Sequence, residues 1–83
     1  NPFHASTTLA YDLPRAGRVV LSVYDISGRL VRTLVAGAMQ EAGQHVVQWD
    51  GRDDAGASTH AGLYFGRLEA AGERDMRRVV RIR

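Results

Sequence analysis

The chain contains neither cysteine nor lysine. Without cysteine there is no disulfide bond, no thiol catalysis and no Cys-ligated zinc site. No stretch approaches the ~20 consecutive apolar residues that a membrane-spanning helix needs, so we expect no transmembrane segment. The net charge of +2 is too small to indicate a nucleic-acid partner, and we expect none.

Two further patterns are missing. The amino terminus has no initial methionine and no basic-then-apolar signal peptide, so we expect a domain that belongs to a longer polypeptide. No segment of useful length carries the 3.6-residue apolar period of an amphipathic helix. At 83 residues the chain is long enough for a single domain with a thin core. An all-β fold is therefore expected.

The most informative segment runs from Val19 to Arg29. Apolar residues alternate over Val19 to Tyr24 with the period of two that is typical of a half-buried strand. Asp25 and Gly28 then occupy the first and fourth positions of a type I turn. The pattern predicts an antiparallel hairpin whose second strand begins near Leu30.

Strand signals recur along the rest of the chain, separated by Gly, Pro or Asp. They predict an Ig-like antiparallel β-sandwich of about seven strands over residues 1–83, with a bulge near Val31 and Leu34 and a loop over residues 37–43. A two-residue period places Met76, Val80 and Ile82 on one face of the last strand. The predicted core consists of Leu9, Tyr11, Leu13, Val19, Leu21, Val23, Val47, Trp49, Tyr64, Leu68, Val80 and Ile82.

No constellation of side chains indicates catalysis or metal binding. The histidines at positions 4, 45 and 60 lack the spacing of metal ligands, and His45 alternates with Val47 as a partly buried strand residue would. Asp50, Asp53 and Asp54 do not match a calcium loop and are common residues in turns. Ser6, Thr7 and Thr8 lack the context of a nucleophile. We expect no enzyme activity, no cofactor and no metal.

The final segment, residues 75–83, is rich in arginine. Its arginines are either the charges that keep a solvated edge strand from aggregating or a contact surface for an acidic partner. As candidate recognition residues we select Arg77, Arg78, Arg81 and Arg83, and we expect Arg77 and Arg81 on the outer face.

An ordered set of short motifs runs through nearly the whole chain. It resembles the C-terminal type A sorting domain of the bacterial type IX secretion system. The Asp-Gly-Arg-Asp-Asp-Ala-Gly loop at residues 50–56 also resembles the Ig-like domain of the flagellar hook-capping protein, a sister family. The motifs are Asn1-Pro2-Phe3, Ser6-Thr7-Thr8, Tyr11-Asp12-Leu13-Pro14, Val23-Tyr24-Asp25, Gly28-Arg29, Ala42-Gly43, Trp49-Asp50-Gly51, Gly62-Leu63-Tyr64-Phe65 and Arg77-Arg78-Val79-Val80.

The sorting-domain resemblance implies a seven-stranded, non-catalytic Ig-like domain at the C-terminus of a secreted protein. Its partners would be the outer-membrane proteins of the secretion machinery and its own covalently linked cargo. The expected location is then secreted or at the cell surface, and we expect a monomer. Two alternatives remain open: a generic accessory or spacer module of an extracellular enzyme or adhesin, which could contact carbohydrate, and a flagellar hook-cap Ig-like domain.

Overall fold

A computed structural model describes residues 6–81, with only the backbone of Arg77, Val80 and Arg81. Asn1 to Ala5, Ile82 and Arg83 lie outside the described residues. Within that range the chain forms six strands and no helix: β1 (Thr7–Leu13), β2 (Gly17–Asp25), β3 (Leu30–Gln40), β4 (Gly43–Trp49), β5 (Gly62–Ala70) and β6 (Glu73–Arg81). No helix in this part of the chain could cross a membrane.

The strands form two sheets in which every pairing is antiparallel. One sheet pairs β1 with β4, and the other has four strands in the order β3-β2-β5-β6. The buried side chains of both sheets pack together between them, which is the arrangement of an Ig-like sandwich. The predicted fold class is confirmed. The expected number of about seven strands exceeds the six found over residues 6–81, because the segment between β4 and β5 forms only one isolated bridge, Arg52 with Ser58.

The predicted turn between β2 and β3 is confirmed. The backbone N–H of Gly28 donates to the Asp25 carbonyl at 3.0 Å, and Gly28 adopts a φ of +87°, which glycine tolerates best. The Asp25 carboxylate also accepts the backbone N–H groups of Ser27 at 3.0 Å and Arg29 at 2.9 Å. This aspartate therefore connects both ends of the turn.

Strand β3 is longer and more irregular than its sequence suggests. Its register against β2 shifts three times, and the residues without a partner are Val31, Leu34 and Gly37. The expected bulge at Val31 and Leu34 is confirmed. The expected loop from residue 37 onward is wrong, because Gly37, at a φ of +85°, forms a further bulge and β3 continues to Gln40.

Most of the predicted core is confirmed. The side chains of Val19, Val23 and Trp49 are fully buried, and Leu9, Val47 and Leu68 pack against the core from partly buried positions. The other predicted residues that prove buried are Tyr11, Leu13, Leu21 and Tyr64. The side chain of Val80 and the whole of Ile82 lie outside the described residues.

The predicted inner face of β6 is wrong. Val79 is buried, whereas Met76 is 54% exposed. The cause is the turn before β6: Ala71, with a φ of +54°, and Gly72 form a two-residue connection, so Tyr64 lies opposite Val79. Directly opposed residues project to the same face of the sheet. A turn one residue longer would have exchanged the buried and exposed faces of β6.

Trp49→Ala should lower the free energy of unfolding by about 3–5 kcal/mol, a large part of the stability of so small a domain, because it leaves a cavity where a fully buried side chain packs. Thermal and urea denaturation of the chain measure the loss. Val46→Ala, at an exposed position of the same strand, is the control and should change little. An unchanged melting curve for Trp49→Ala would contradict the core described here.

Candidate functional site

The loop after β4 is held together by its own aspartates. Asp53 accepts the backbone N–H groups of Ala55 at 3.0 Å and Ala57 at 2.9 Å, which closes the turn at Gly56. Asp50 accepts the backbone N–H of Arg52 at 3.0 Å. The loop is therefore ordered by side-chain-to-backbone bonds that aspartate forms readily in turns.

The same loop is fastened to the outer edge of β3. The backbone N–H of Asp54 donates to the Val31 carbonyl at 2.9 Å, and the Asp54 carboxylate accepts the backbone N–H of Thr33 at 3.0 Å. The Arg32 guanidinium donates to the Asp50 carboxylate at 2.9 Å and to the Arg52 carbonyl at 3.1 Å. The loop therefore takes up hydrogen-bonding groups that an edge strand would otherwise offer to another chain.

The carboxylates of Asp50, Asp53 and Asp54 are thus engaged in hydrogen bonds within the loop and with β3. No group of three or more His, Cys, Asp or Glu residues that could hold one occurs among the described residues. The backbone N–H of Arg52 is the main cause that lowers the pKa of Asp50, and the charge of Arg32 adds to it. Arg32 was not predicted as the partner of this loop, and the bulge at Val31 was the one signal near it.

The histidines occupy separate places. His45 stacks on Tyr11 with ring centroids 5.5 Å apart, and its Nε2 donates to the Glu41 carbonyl at 2.7 Å. The carbonyl of His60 accepts the Tyr64 hydroxyl at 2.7 Å. His4 lies outside the described residues. The His45 side chain thus contributes to packing and hydrogen bonding, whereas the exposed His60 contributes its backbone carbonyl.

The outer face of the four-stranded sheet is a surface of polar and aromatic side chains. The Arg67 guanidinium lies 5.3 Å from the ring centroid of Tyr24 and forms an ion pair with Glu69, whose hydrogen bond raises the pKa of Arg67. Arg74 approaches the same carboxylate at 3.9 Å. Ser22, on the neighbouring strand, is 5% exposed, so these long side chains cover the centre of the face.

Three of the four predicted recognition residues, Arg77, Arg78 and Arg81, belong to β6, which is the other edge of this sheet. Arg78 is exposed, and its backbone pairs with Phe65. Arg77 and Arg81 pair through their backbones with Gly66 and Gly62, whereas Arg83 lies outside the described residues. Positions 77 and 81 are two residues before and after the buried Val79, so all three lie on the same face of the strand. The register therefore gives no support to the prediction that Arg77 and Arg81 face outward.

A groove runs beside the start of β6, between the β1–β2 turn and the β5–β6 turn. Its volume is about 600 Å³, and charged residues of both signs line it, among them Asp12, Arg15 and Glu73. A small apolar cavity of about 20 Å³ lies nearby; Tyr11, Leu21 and other apolar residues, together with Asp75, border it. The groove contains no arrangement of acid, base and nucleophile among the described residues.

The two antiparallel sheets, the shared core between them and the fully buried tryptophan define an Ig-like β-sandwich domain. Residues 4–73 match the FlgD Ig-like domain family, so the chain belongs to that family. The match supports the resemblance to the flagellar hook-capping protein and gives no support to the resemblance to the type IX sorting domain.

A solved structure also supports the relationship to this family. FLGD from P. aeruginosa is similar to this chain with a TM-score of 0.74 and 25% sequence identity, over 90% of this chain and 60% of that one. The chain therefore corresponds to only part of FLGD. No curated protein sequence matches it.

Asp54→Ala should release the loop from β3. Thr33 loses the carboxylate that accepts its N–H, a hydrogen bond that typically contributes about 1 kcal/mol. Amide hydrogen exchange should become faster at Thr33 while the core amides keep their protection. Asp12→Ala, which removes an exposed carboxylate from β1, is the control. Unchanged exchange at Thr33 would show that the loop does not protect this edge.

Asp25 should make the stability of the domain depend on pH in acid. The Ser27 hydroxyl and the Arg29 backbone N–H hold the pKa of Asp25 at about 2, below its ordinary 3.8. As the pH falls, the unfolded chain therefore binds a proton at Asp25 before the folded chain does. The stabilisation that the ionised Asp25 contributes is complete above about pH 5 and is lost as the pH falls towards about 2.

The test compares melting temperatures between about pH 6 and pH 2 for the parent chain, Asp25→Asn and the control Asp12→Asn. Asp25→Asn should be less stable near neutral pH and should lose less stability than the parent chain in acid. Parallel curves for all three proteins would exclude a contribution from Asp25.

Proposed function

We propose that this chain is a non-catalytic Ig-like domain that acts through contacts with other proteins, in the manner of a flagellar hook-capping protein. The observation that carries the proposal is the match of residues 4–73 to the FlgD Ig-like domain family. The similarity to FLGD from P. aeruginosa supports it over 90% of the chain. The proposal includes a place of action outside the cytoplasm, in keeping with the secreted or cell-surface location expected from the sequence.

The surface chemistry supports a binding role. The aspartates of the loop after β4 are engaged in holding that loop, and His45 is engaged with Tyr11 and Glu41. Exposed apolar side chains occur on both sheets, for example Met76 on β6 and Val46 on β4. Contacts between proteins use surfaces of this mixed composition.

The proposal can be tested by domain exchange. The Ig-like part of FLGD from P. aeruginosa is replaced by this chain, and the exchanged protein is expressed in a strain that lacks its own FLGD. Swimming motility should return above the level of a matched deletion of the Ig-like part. Trp49→Ala in the exchanged protein is the control, because it strongly destabilises the fold and should reduce the gain.

A second arm of the experiment addresses the sorting interpretation. The chain is fused behind a reporter in a host that has a type IX secretion system, with a fusion that ends before Arg77 as the control. Surface delivery that requires residues 77–83, together with no gain in motility, would overturn the hook-cap proposal in favour of a sorting domain whose partners are outer-membrane secretion proteins. Failure in both arms would leave the spacer module as the better description.

A further inference from the structure

The two edges of the four-stranded sheet differ. The edge at β3 is occupied near Val31 and Thr33 by the loop that carries Asp54. The edge at β6 has no neighbouring strand among the described residues. We propose that the outer edge of β6 binds an extended acidic segment of a partner protein, which adds to the sheet as a fifth strand.

The hairpin geometry indicates which backbone groups are available. Ala71 and Gly72 both have positive φ, as in a type I′ turn, and Ala70 pairs with Glu73 directly beside it. In such a hairpin the flanking pair exchanges two hydrogen bonds, and every second pair after it does the same. Arg74, Met76 and Arg78 stand at the alternate positions, so their N–H and C=O groups point away from β5.

The positive charge of the second half of β6 favours an acidic partner. Residues 76–81 include Arg77, Arg78 and Arg81 and contain no acidic residue. An acidic segment complements this half of β6, and the exposed Arg78 is available for an ion pair. A second copy of the chain that paired antiparallel through the whole of β6 would place Glu73 or Asp75 opposite an arginine, so self-pairing is the alternative occupant that the titration has to separate.

The groove beside β6 provides contacts for the added side chains. It is bordered by charged residues of both signs, among them Asp75 of β6, and by apolar residues of other strands, including Leu13 and Leu68, so the apolar side chains of an added strand are the ones that suit it. Its volume of about 600 Å³ lies within the range of about 300–1,000 Å³ that is usual for ligand sites. Alternate side chains of an added strand would reach this groove, while its backbone bonds to the edge of β6. Strand addition of this kind obtains affinity from the backbone and specificity from such pockets.

The test uses two synthetic peptides of nine residues, the length of β6. One alternates valine with glutamate and the other alternates valine with lysine. In a titration followed by NMR of the ¹⁵N-labelled chain, the acidic peptide should shift the amides of Arg74, Met76 and Arg78 more than those of Asp75 and Val79. It should also bind at least about tenfold more tightly than the basic peptide.

Three variants separate the backbone from the charge. Arg78→Pro removes an outward N–H without removing a bond to β5 and should abolish binding. Arg78→Gln retains that N–H and should weaken binding about twofold to fivefold. Met76→Pro removes a second outward N–H and takes the place of Arg78→Pro if that variant fails to fold. The amide spectra of all three show whether the sandwich is intact.

Several results would overturn the proposal. They are equal binding of both peptides, unchanged binding by a folded proline variant, and amide shifts confined to another surface. A concentration-dependent dimer that perturbs the same amides without peptide would instead identify a second copy as the occupant. The proposal rests on the proposed role in protein contacts. Because the titration needs no flagellar component, it can succeed or fail independently of the motility experiment.

Discussion

The packing of Trp49 is the interaction on which the rest of the structure depends. Its side chain is fully buried at the end of β4, and its ring meets Tyr64 of the opposite sheet edge to face, with centroids 5.3 Å apart. Its Nε1 donates to the Arg52 carbonyl at 3.0 Å. One side chain thus contributes to the core, joins the two sheets and sets the start of the loop that follows.

That loop connects the core to the sheet edge. The Arg52 carbonyl accepts from both Trp49 and Arg32, so the buried indole and a β3 side chain meet at a single backbone group. Two residues further on, Asp54 bonds to the backbone of β3. A segment that looks like a simple turn in the sequence therefore covers an edge that could otherwise pair with another chain. Strand β6 lacks such a cover among residues 6–81, and this asymmetry makes it the more available surface.

Much of the fold was predictable because local chemistry and the two-residue period agree. The alternation over Val19 to Tyr24, the Asp25–Gly28 turn and the burial of Trp49 each follow from side-chain preferences within a few residues. The bulges of β3 were signalled by apolar residues that fitted neither face. Its continuation through Gly37 was not predictable, since glycine weakens a strand interior and is compatible with either a loop or a bulge.

The sequence by itself determined an all-β domain, its main core and its turn residues, because these depend on interactions close along the chain. The tertiary structure decided which face of β6 is buried, since that depends on a positive φ at Ala71 and on the resulting pairing of Tyr64 with Val79. It also decided that Asp54 of the loop would bond to the edge of β3 beside Arg32. Contacts between residues that are far apart in the sequence depend on how the strands align, and no local pattern encodes that alignment.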